Sequence, residues 1–182
     1  MENIIQVPIK EEVEKSLLDY GMSIITDRAL PSTEDGLKPV NRRLLYDMFD
    51  KGFFSDKKFV KCAQPVGDTM ARFHPHGDSS IYGALAWMSL PWNMRYPLIT
   101  WHGNNGSRDG DEPAAYRYTE CKLSKIGEEM LADIKKNTID WQNAYTDEEQ
   151  EPVYLPGRIP NLIVNGTSGI AWAMAGSFPP HC

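Results

Sequence analysis

Four helical segments that precede any strand signal constrain the fold of this chain more than any other feature of its sequence. Apolar residues recur near helical spacing over residues 10–26, 40–51, 59–73 and 79–89. Proline and glycine separate these segments, and Pro65 falls inside the third, which predicts a kink or two short helices there. A chain that begins in this way favours a mainly helical core.

The second half of the chain changes from helical spacing to strand and turn signals. Residues 97–101 form a strand candidate and residues 103–111 a turn-rich loop, after which the chain returns as an extended stretch through Tyr118. A helix over residues 123–135 follows. Helices followed by strand, loop and strand are typical of a winged helix, in which a small β wing accompanies a helix-turn-helix.

A second change of pattern follows residues 147–151, which are predicted to form an acidic linker. Short strands and turns are predicted over residues 157–160, 161–164 and 166–169, as at the start of a β-rich domain. The fold class is therefore α+β. We divide the chain into an N-terminal arm helix (1–27), a winged-helix domain (28–146) and the beginning of a β-rich domain (147–182).

Membrane and secretion signals are missing from the printed sequence. No apolar run approaches the ~20 residues that span a bilayer, and residues 1–10 lack a basic start followed by an apolar stretch. We expect a cytoplasmic protein with no membrane partner. Cys62, Cys121 and Cys182 lie far apart, and their spacing fits neither a disulfide framework nor a zinc site.

Charge is distributed unevenly along the chain. The formal net charge is −6, yet residues 28–76 hold nine basic and six acidic residues, whereas residues 1–27 hold two basic and six acidic. A basic block flanked by acidic ones indicates a local polyanion-binding surface on an acidic protein. The alternative is that this small excess of basic residues belongs to an ordinary solvent-exposed surface.

Two helix starts carry residues suited to phosphate. Asn41, Arg42 and Arg43 fall in the first turns of the second helix, where cations oppose the helix dipole and so favour an external anion. The fourth helix begins with small residues that let a backbone approach closely, and Asp78 or Ser79 is predicted to cap it. An exposed polar face explains the first pattern equally well, and helix packing explains the second.

Tyr118, directly after Arg117, is the candidate nucleophile. A phenol with a pKa of about 10 is a poor nucleophile at neutral pH, so catalysis requires a phosphate to attack and cations to lower the barrier. The basic block could supply such cations. Packing of the tyrosine at a loop edge is the alternative, and a noncatalytic winged-helix DNA-binding module would use the same surface without any nucleophile.

The histidine pair at residues 74 and 76 permits a third interpretation. With Asp78 it resembles the first half of a binuclear metallohydrolase motif, which normally continues with a histidine where this chain has Ser79. Pro75 also stiffens the pair. Metal-dependent hydrolysis is therefore the less favoured alternative.

Nine short motifs, taken in order, indicate a known family. They are Asp27-Arg-Ala-Leu-Pro31, Asp35-Gly-Leu-Lys-Pro-Val40 with Arg42-Arg43, Val66-Gly-Asp68, His74-Pro-His-Gly-Asp-Ser79, Arg117-Tyr-Thr-Glu120, Ile159-Pro-Asn-Leu162, Val164-Asn-Gly166, Ser168-Gly-Ile-Ala171 and Pro179-Pro-His181. Over residues 16–181 the chain resembles the breakage-reunion (A) subunit of bacterial type IIA DNA topoisomerases, that is, gyrase A and the A subunit of topoisomerase IV. On this resemblance residues 28–146 are the winged-helix DNA-cleavage domain and residues 147–182 begin the tower domain.

The resemblance implies a role for each site residue. Tyr118 attacks a DNA phosphodiester and forms a 5′-phosphotyrosyl link, and Arg117 clamps the phosphate beside it. The other cleavage-site residues that it implies are Arg28, His74 and His76. The DNA-binding residues that it implies are Lys38, Arg42, Arg43, Ser79 and Ile170, and of these Arg42 also lines the cleavage site and Ile170 wedges between base pairs.

Partners are also implied by the resemblance. The substrate is double-stranded DNA, and a separate B subunit holds Mg²⁺ and uses ATP, so no metal site is expected in this chain. The resembled subunits form homodimers and continue through the rest of the tower, a coiled-coil arm and a DNA-wrapping β-domain. We therefore expect this chain alone to bind DNA weakly and not to relax it.

Several positions depart from the pattern of the resembled family. Asn41 stands where histidine is frequent, and Gly83 replaces an acidic residue that, with the Ser79 position, is associated with quinolone binding. Reduced quinolone sensitivity is the hypothesis that follows. The remaining departures are Trp101, His102, Asn105 and Trp172.

Overall fold

Helices dominate the first half of the chain and small antiparallel sheets the second. The computed structural model describes residues 7–181, and the predicted α+β class is confirmed. The helices are α1 (Ile9–Ile24), α2 (Pro39–Asp50), α3 (Ala63–Arg72), α4 (Asp78–Trp87), α5 (Lys125–Glu129) and α6 (Asn161–Asn165). The strands are β1 (Val60–Lys61), β2 (Ile99–His102), β3 (Glu120–Leu123), β4 (Trp141–Asn143), β5 (Gln150–Pro152), β6 (Thr167–Ala171) and β7 (Met174–Phe178).

The core forms where α2 and α4 meet, along the apolar stripes that the sequence predicts. Leu44, Leu45 and Met48 of α2 are fully buried, and so are Ile81 and Leu85 of α4. Pro39 is the first residue of α2, where a proline costs no helical hydrogen bond. Both helices are confirmed to within two residues of their predicted ends.

A three-stranded antiparallel sheet packs beside this helical core. Its order is β1-β3-β2, so the central strand β3 pairs with both neighbours. Cys121 lies opposite Val60 on one side and Trp101 on the other. Because β3 pairs on both edges, it restrains the backbone of the residues just before it, which include Tyr118.

Two predictions about α3 and α4 were wrong. Residues 60 and 61 form strand β1, so the third helix begins only at Ala63; Pro65 then falls in its first turn and no kink is needed. The N-cap of α4 is Gly77, and no side chain caps this helix. The Asp78 carboxylate instead accepts a hydrogen bond from the Tyr116 hydroxyl, at 3.0 Å.

The helix predicted over residues 123–135 is much shorter than expected. Leu123 ends β3, Ser124 caps α5 by accepting from the amide of Gly127 at 3.0 Å, and α5 stops at Glu129. A 3-10 turn, Ile134–Lys136, follows a run of turns. Met130, Leu131 and Ile134 are buried, as expected for an apolar face, but they lie in turns and a 3-10 turn rather than in one continuous helix.

The segment expected to be an acidic linker, residues 147–151, forms part of the turn and most of the second strand of a hairpin. Strand β5 pairs with β4, with Gln142 opposite Glu151. The predicted domain boundary after residue 146 lies in the turn of this hairpin. Residues 161–164, predicted among strands and turns, belong to helix α6, and the turn predicted at residues 166–169 is largely strand β6, which pairs with β7.

Helix α1 is confirmed but its apolar side chains are not buried. Val13 is 48% exposed and Leu17 47%, and Gly21 is the buried residue of this helix. A π-helical turn, Ile25–Ala29, continues α1 and ends at the buried Ala29. Within residues 7–181, no helix is long and apolar enough to cross a membrane.

Candidate functional site

The two histidines of the 74–78 motif stack on one another just after α3. Phe73 is fully buried and anchors the segment. The His76 amide donates to the His74 carbonyl at 2.7 Å, and the two imidazole centroids lie 4.2 Å apart at 22°. The motif therefore forms a rigid turn that presents two adjacent rings.

Arg43 of α2 holds the first of these rings. Its Nη1 donates to Nδ1 of His74 at 2.8 Å, while Nε and Nη2 donate to the two carboxylate oxygens of Glu151 at 2.6 and 2.7 Å. Burial lowers the pKa of His74 to about 4, with further lowering by His76, Arg43 and Arg28. His74 is thus neutral at pH 7, and because Nδ1 accepts, its ring proton lies on Nε2.

A cleft of about 680 Å³ opens beside these groups. It brings together five of the predicted site residues from four separate parts of the chain. The residues that line it are Tyr20, Ser23, Ile24, Arg28, Lys38, Val40, Arg43, His74, His76 and Ser80. Cations and a neutral histidine around one cleft can hold a phosphate and donate hydrogen bonds to it.

Lys38 ties this cleft to the β6–β7 hairpin. Its Nζ donates to the Ser168 carbonyl at 2.7 Å, and partial burial lowers the pKa of its ammonium group. Ile170, two residues further along β6, is 88% exposed. A largely exposed isoleucine on a short hairpin is available to contact another molecule rather than to pack in the core.

Arg42 and Ser79 lie outside the residues that line the cleft. The Arg42 side chain is buried, and its guanidinium donates to the Asp35 carboxylate at 2.6 and 3.0 Å and to the Leu37 carbonyl at 3.0 Å. Ser79 is exposed in the first turn of α4, and its neighbour Ser80 lines the cleft. The predicted DNA contacts of both residues stay predictions.

Tyr118 protrudes from a turn whose flanking residues are anchored. Thr119 is 1% exposed and its hydroxyl bonds the Tyr82 hydroxyl at 2.9 Å, while the Tyr116 hydroxyl is held by Asp78. The Tyr118 side chain is 64% exposed, and the Arg117 guanidinium lies over its ring, 4.6 Å from the centroid. An exposed phenol beside an arginine, on a fixed backbone, can act as a nucleophile towards a bound phosphate.

The structure brings Arg28, Lys38, Arg43, His74 and His76 together, but it places Tyr118 and Arg117 outside that group. Neither belongs to the residues that line the 680 Å³ cleft. They lie instead at the end of the sheet, immediately before β3.

A metal-dependent site is not supported at the histidine motif. Over residues 7–181, no group of three or more His, Cys, Asp and Glu is arranged to hold a metal ion. Nδ1 of His74 is used by Arg43, and an oxygen of Asp78 by Tyr116. These hydrogen bonds leave fewer free ligand atoms at the motif for a metal ion.

Comparison with known proteins decides the family. The family described as the A subunit of DNA gyrase/topoisomerase IV matches residues 28–182. The chain belongs to this family. It is 52% identical over 178 residues to the DNA gyrase A subunit of Clostridium acetobutylicum and 51% identical over 175 residues to that of Streptomyces coelicolor. These alignments cover 98% and 96% of the chain but only 21% and 20% of the relatives, so the chain spans about a fifth of their length.

The surroundings of the positions expected to depart from the family pattern are as follows. Asn41 and Gly83 line a second cleft, of about 550 Å³, and the Gly83 α-carbon faces open space. The His102 ring bonds Glu120 at 2.9 Å, and the Asn105 amide donates to Ser89 at 3.2 Å.

The two tryptophans among these departures differ in their contacts. The buried indole nitrogen of Trp101 has no hydrogen-bond partner among the described residues, and the structure does not explain this. The Trp172 ring covers Gly21 of α1.

Three residues in contact with the predicted site were missed from the sequence. Tyr82 and Tyr116 anchor the turn that carries Tyr118, and Glu151 holds Arg43. Glu151 lies in a run of acidic residues, and no local pattern distinguishes it from its exposed neighbours. The pairing of β4 with β5 places the Glu151 side chain against Arg43 of α2.

Proposed function

We propose that this chain is the DNA-breaking and rejoining part of a type IIA topoisomerase, with Tyr118 as the nucleophile. The observation that carries the proposal is the exposed Tyr118 ring under the Arg117 guanidinium, in a member of the gyrase and topoisomerase IV A-subunit family. The similar proteins are named as A subunits of DNA gyrase. A reaction that breaks and rejoins DNA would account both for the exposed Tyr118 beside Arg117 and for the membership of this family.

The proposed reaction is a reversible exchange of phosphodiester bonds. The Tyr118 oxygen forms a bond to phosphorus as the bond to the 3′-oxygen breaks, leaving a 5′-phosphotyrosyl link and a free 3′-hydroxyl. The phenol proton is lost to solvent and the departing oxygen gains one. Because one phosphodiester replaces another, rejoining needs no further energy source. Arg117 stabilises the negative charge that develops on the nonbridging oxygens.

The cleft around His74 would position the duplex. Arg28, Lys38 and Arg43 supply cations for the phosphate backbone, and neutral His74 can donate from Nε2 to a phosphate oxygen. His76, stacked on His74, borders the same cleft. Exposed Ile170 would insert between base pairs and bend the duplex, a device that reads deformability rather than base identity.

The whole reaction needs partners. Membership of the A-subunit family supports the proposal that a B-type subunit holds Mg²⁺ and uses ATP in a cytoplasmic complex. The metal would polarise the phosphate and stabilise the leaving oxygen. Helices α2 to α4 and the β1-β3-β2 sheet would together form a winged helix, residues 147–182 would begin the tower, and the complete A subunit would act as a homodimer.

Covalent trapping tests the assignment of Tyr118. This chain, mixed with a gyrase B-type subunit, Mg²⁺ and end-labelled duplex DNA, is expected to give a denaturant-resistant adduct on the 5′ end of the cut strand. Tyr118→Phe should reduce the adduct below detection, because it removes the attacking oxygen and little else.

Tyr145→Phe is the matched control for this experiment. Tyr145 is also half exposed, and its hydroxyl donates to the Ala71 carbonyl away from the cleft. The control should form as much adduct as the unchanged chain. An adduct that survives Tyr118→Phe would contradict the assignment, and DNA binding without any adduct would favour the noncatalytic winged-helix module.

A further inference from the structure

A buried carboxylate from the β4–β5 hairpin reaches the cleft residues. The Glu151 side chain is 4% exposed and the Arg43 side chain 21%. The cross-strand neighbour Gln142 donates to the same carboxylate at 2.8 Å. Glu151 therefore has three donors and is held on the hairpin as well as on α2.

The geometry of the arginine makes this contact directional. A guanidinium is planar, so when Glu151 engages Nε and Nη2, the direction of the third nitrogen is determined. That third nitrogen, Nη1, donates to Nδ1 of His74. The orientation of the Arg43 donor at His74 is thus set by Glu151, which lies 108 positions from Arg43 in the chain.

We propose that Glu151 is a positioning residue for His74, acting through Arg43. By holding the Arg43 guanidinium in place, Glu151 keeps a donor on Nδ1 of His74 and keeps the ring proton on Nε2. The Nε2–H group can then donate a hydrogen bond to a phosphate oxygen in the cleft. This inference rests on the proposed function for its catalytic meaning. The chain of contacts from Glu151 to His74 can be tested without any reaction.

A purely structural role is the alternative. Glu151 could simply join the hairpin to α2, just as Glu149, in the hairpin turn, joins it to α3 by accepting from Arg72 at 2.8 and 3.1 Å. The two roles differ in one observable: only the positioning role predicts that the tautomer of His74 depends on Glu151. Glu149→Gln is therefore the matched control for Glu151→Gln.

Nitrogen-15 NMR of the four histidine rings provides the first test. In the unchanged chain, His74 is expected to show a pyridine-type Nδ1 and a pyrrole-type Nε2, with signals assigned by their loss in His74→Gln. Glu149→Gln should keep this pattern. Glu151→Gln should convert it to a mixture of tautomers, because an amide cannot accept from both guanidinium nitrogens. An unaltered His74 pattern in folded Glu151→Gln would overturn the proposal.

Adduct formation provides the second test. Glu151→Gln should slow formation of the Tyr118 adduct by about a hundredfold, the size of effect expected from a misplaced catalytic group, whereas Glu149→Gln should leave it unchanged. If the unchanged chain gave no adduct but the tautomer still changed, the proposed function would fail and the contact chain would stand. If Glu151→Gln did not fold, Gln142→Leu would replace it, with a smaller change in the same direction expected and an unchanged tautomer counting against the proposal.

Discussion

At the scale of single residues, the site depends on a histidine that is kept neutral. Burial is the main cause of the low pKa of His74, and the neighbouring His76, Arg43 and Arg28 lower this pKa further because positive charge nearby disfavours protonation of the ring. Without a neutral donor, the cations of the cleft would attract a phosphate by charge alone and would not orient it. A neutral imidazole with its proton on Nε2 adds a directional donor among those cations.

The low pKa makes stability depend on pH. Between about pH 6.5 and about pH 4 the unfolded chain binds a proton at His74 that the folded chain does not, so folding stability decreases as pH falls through this window. His74→Gln should remove this part of the decrease. Urea unfolding of both proteins at the two ends of the window measures it.

Asp47 titrates in the same range but in both proteins. Burial raises the pKa of its carboxyl to about 6, which gives a change of opposite sign that cancels when the two proteins are compared. An equal pH dependence for His74→Gln and the unchanged chain would show that folded His74 protonates as readily as unfolded His74.

At the scale of elements, two helical glycines have opposite surroundings. A β-carbon at Gly21 of α1 would meet the Trp172 ring, with Cζ3 only 2.9 Å away, whereas a β-carbon at Gly83 of α4 would meet nothing within 4 Å. The first glycine lets the β6–β7 hairpin, which carries Ile170, rest on α1. The second leaves a gap on the surface of α4.

The same substitution should therefore have opposite effects on the free energy of unfolding. Gly83→Ala should raise it by about 0.5–1 kcal/mol, because alanine loses less backbone entropy in a helix and no contact opposes it. Gly21→Ala should lower it, since the Trp172 ring must move away. Urea unfolding, with Trp172 fluorescence as a local probe in variants lacking the other tryptophans, measures both.

The sign of the difference is the decisive result of that pair. A stabilising Gly21→Ala would mean that Trp172 does not rest on α1 in solution. The hairpin would then be positioned by Lys38 and by the approach of Gly169 to the Ala29 carbonyl.

At the scale of the whole molecule, Asp35 joins the early helices to the last third of the chain. Its fully buried carboxylate accepts from Arg42, from the amide of Leu37 and from the amide of Leu155, and its carbonyl accepts from Asn161. Both oxygens of the Asp35 carboxylate therefore accept hydrogen bonds. Removal of its charge would leave the Arg42 guanidinium buried without compensation.

Asp35→Asn should lower the free energy of unfolding by about 3–5 kcal/mol, the usual cost of breaking a buried ion pair. The isosteric amide keeps the volume but directs a donor at other donors. Asp133→Asn is the control, because Asp133 pairs with Arg158 at the surface, and its effect should be much smaller. Similar losses in the two variants, measured by urea unfolding, would show that Asp35 does not connect the two parts of the chain.

The sequence by itself determined the elements and residues whose signals are local. The apolar stripes of α2 and α4 predicted both helices and their buried faces, and the order and spacing of short motifs indicated the family. Tyr118 and Arg117 are adjacent in the chain, so their association was visible as well. Local periodicity is sufficient in these cases because the interacting residues are a few positions apart.

Only the tertiary structure decided which charged residues are partners. Arg42 and Arg43 look equivalent in the sequence, yet Arg42 pairs with buried Asp35 and Arg43 reaches the cleft. Glu151 and Glu149 look like parts of one acidic linker, yet the β4–β5 hairpin directs Glu151, in strand β5, to Arg43 and Glu149, in the turn, to Arg72. Such choices depend on contacts between residues up to 108 positions apart, and no local pattern encodes which way a hairpin will present its side chains.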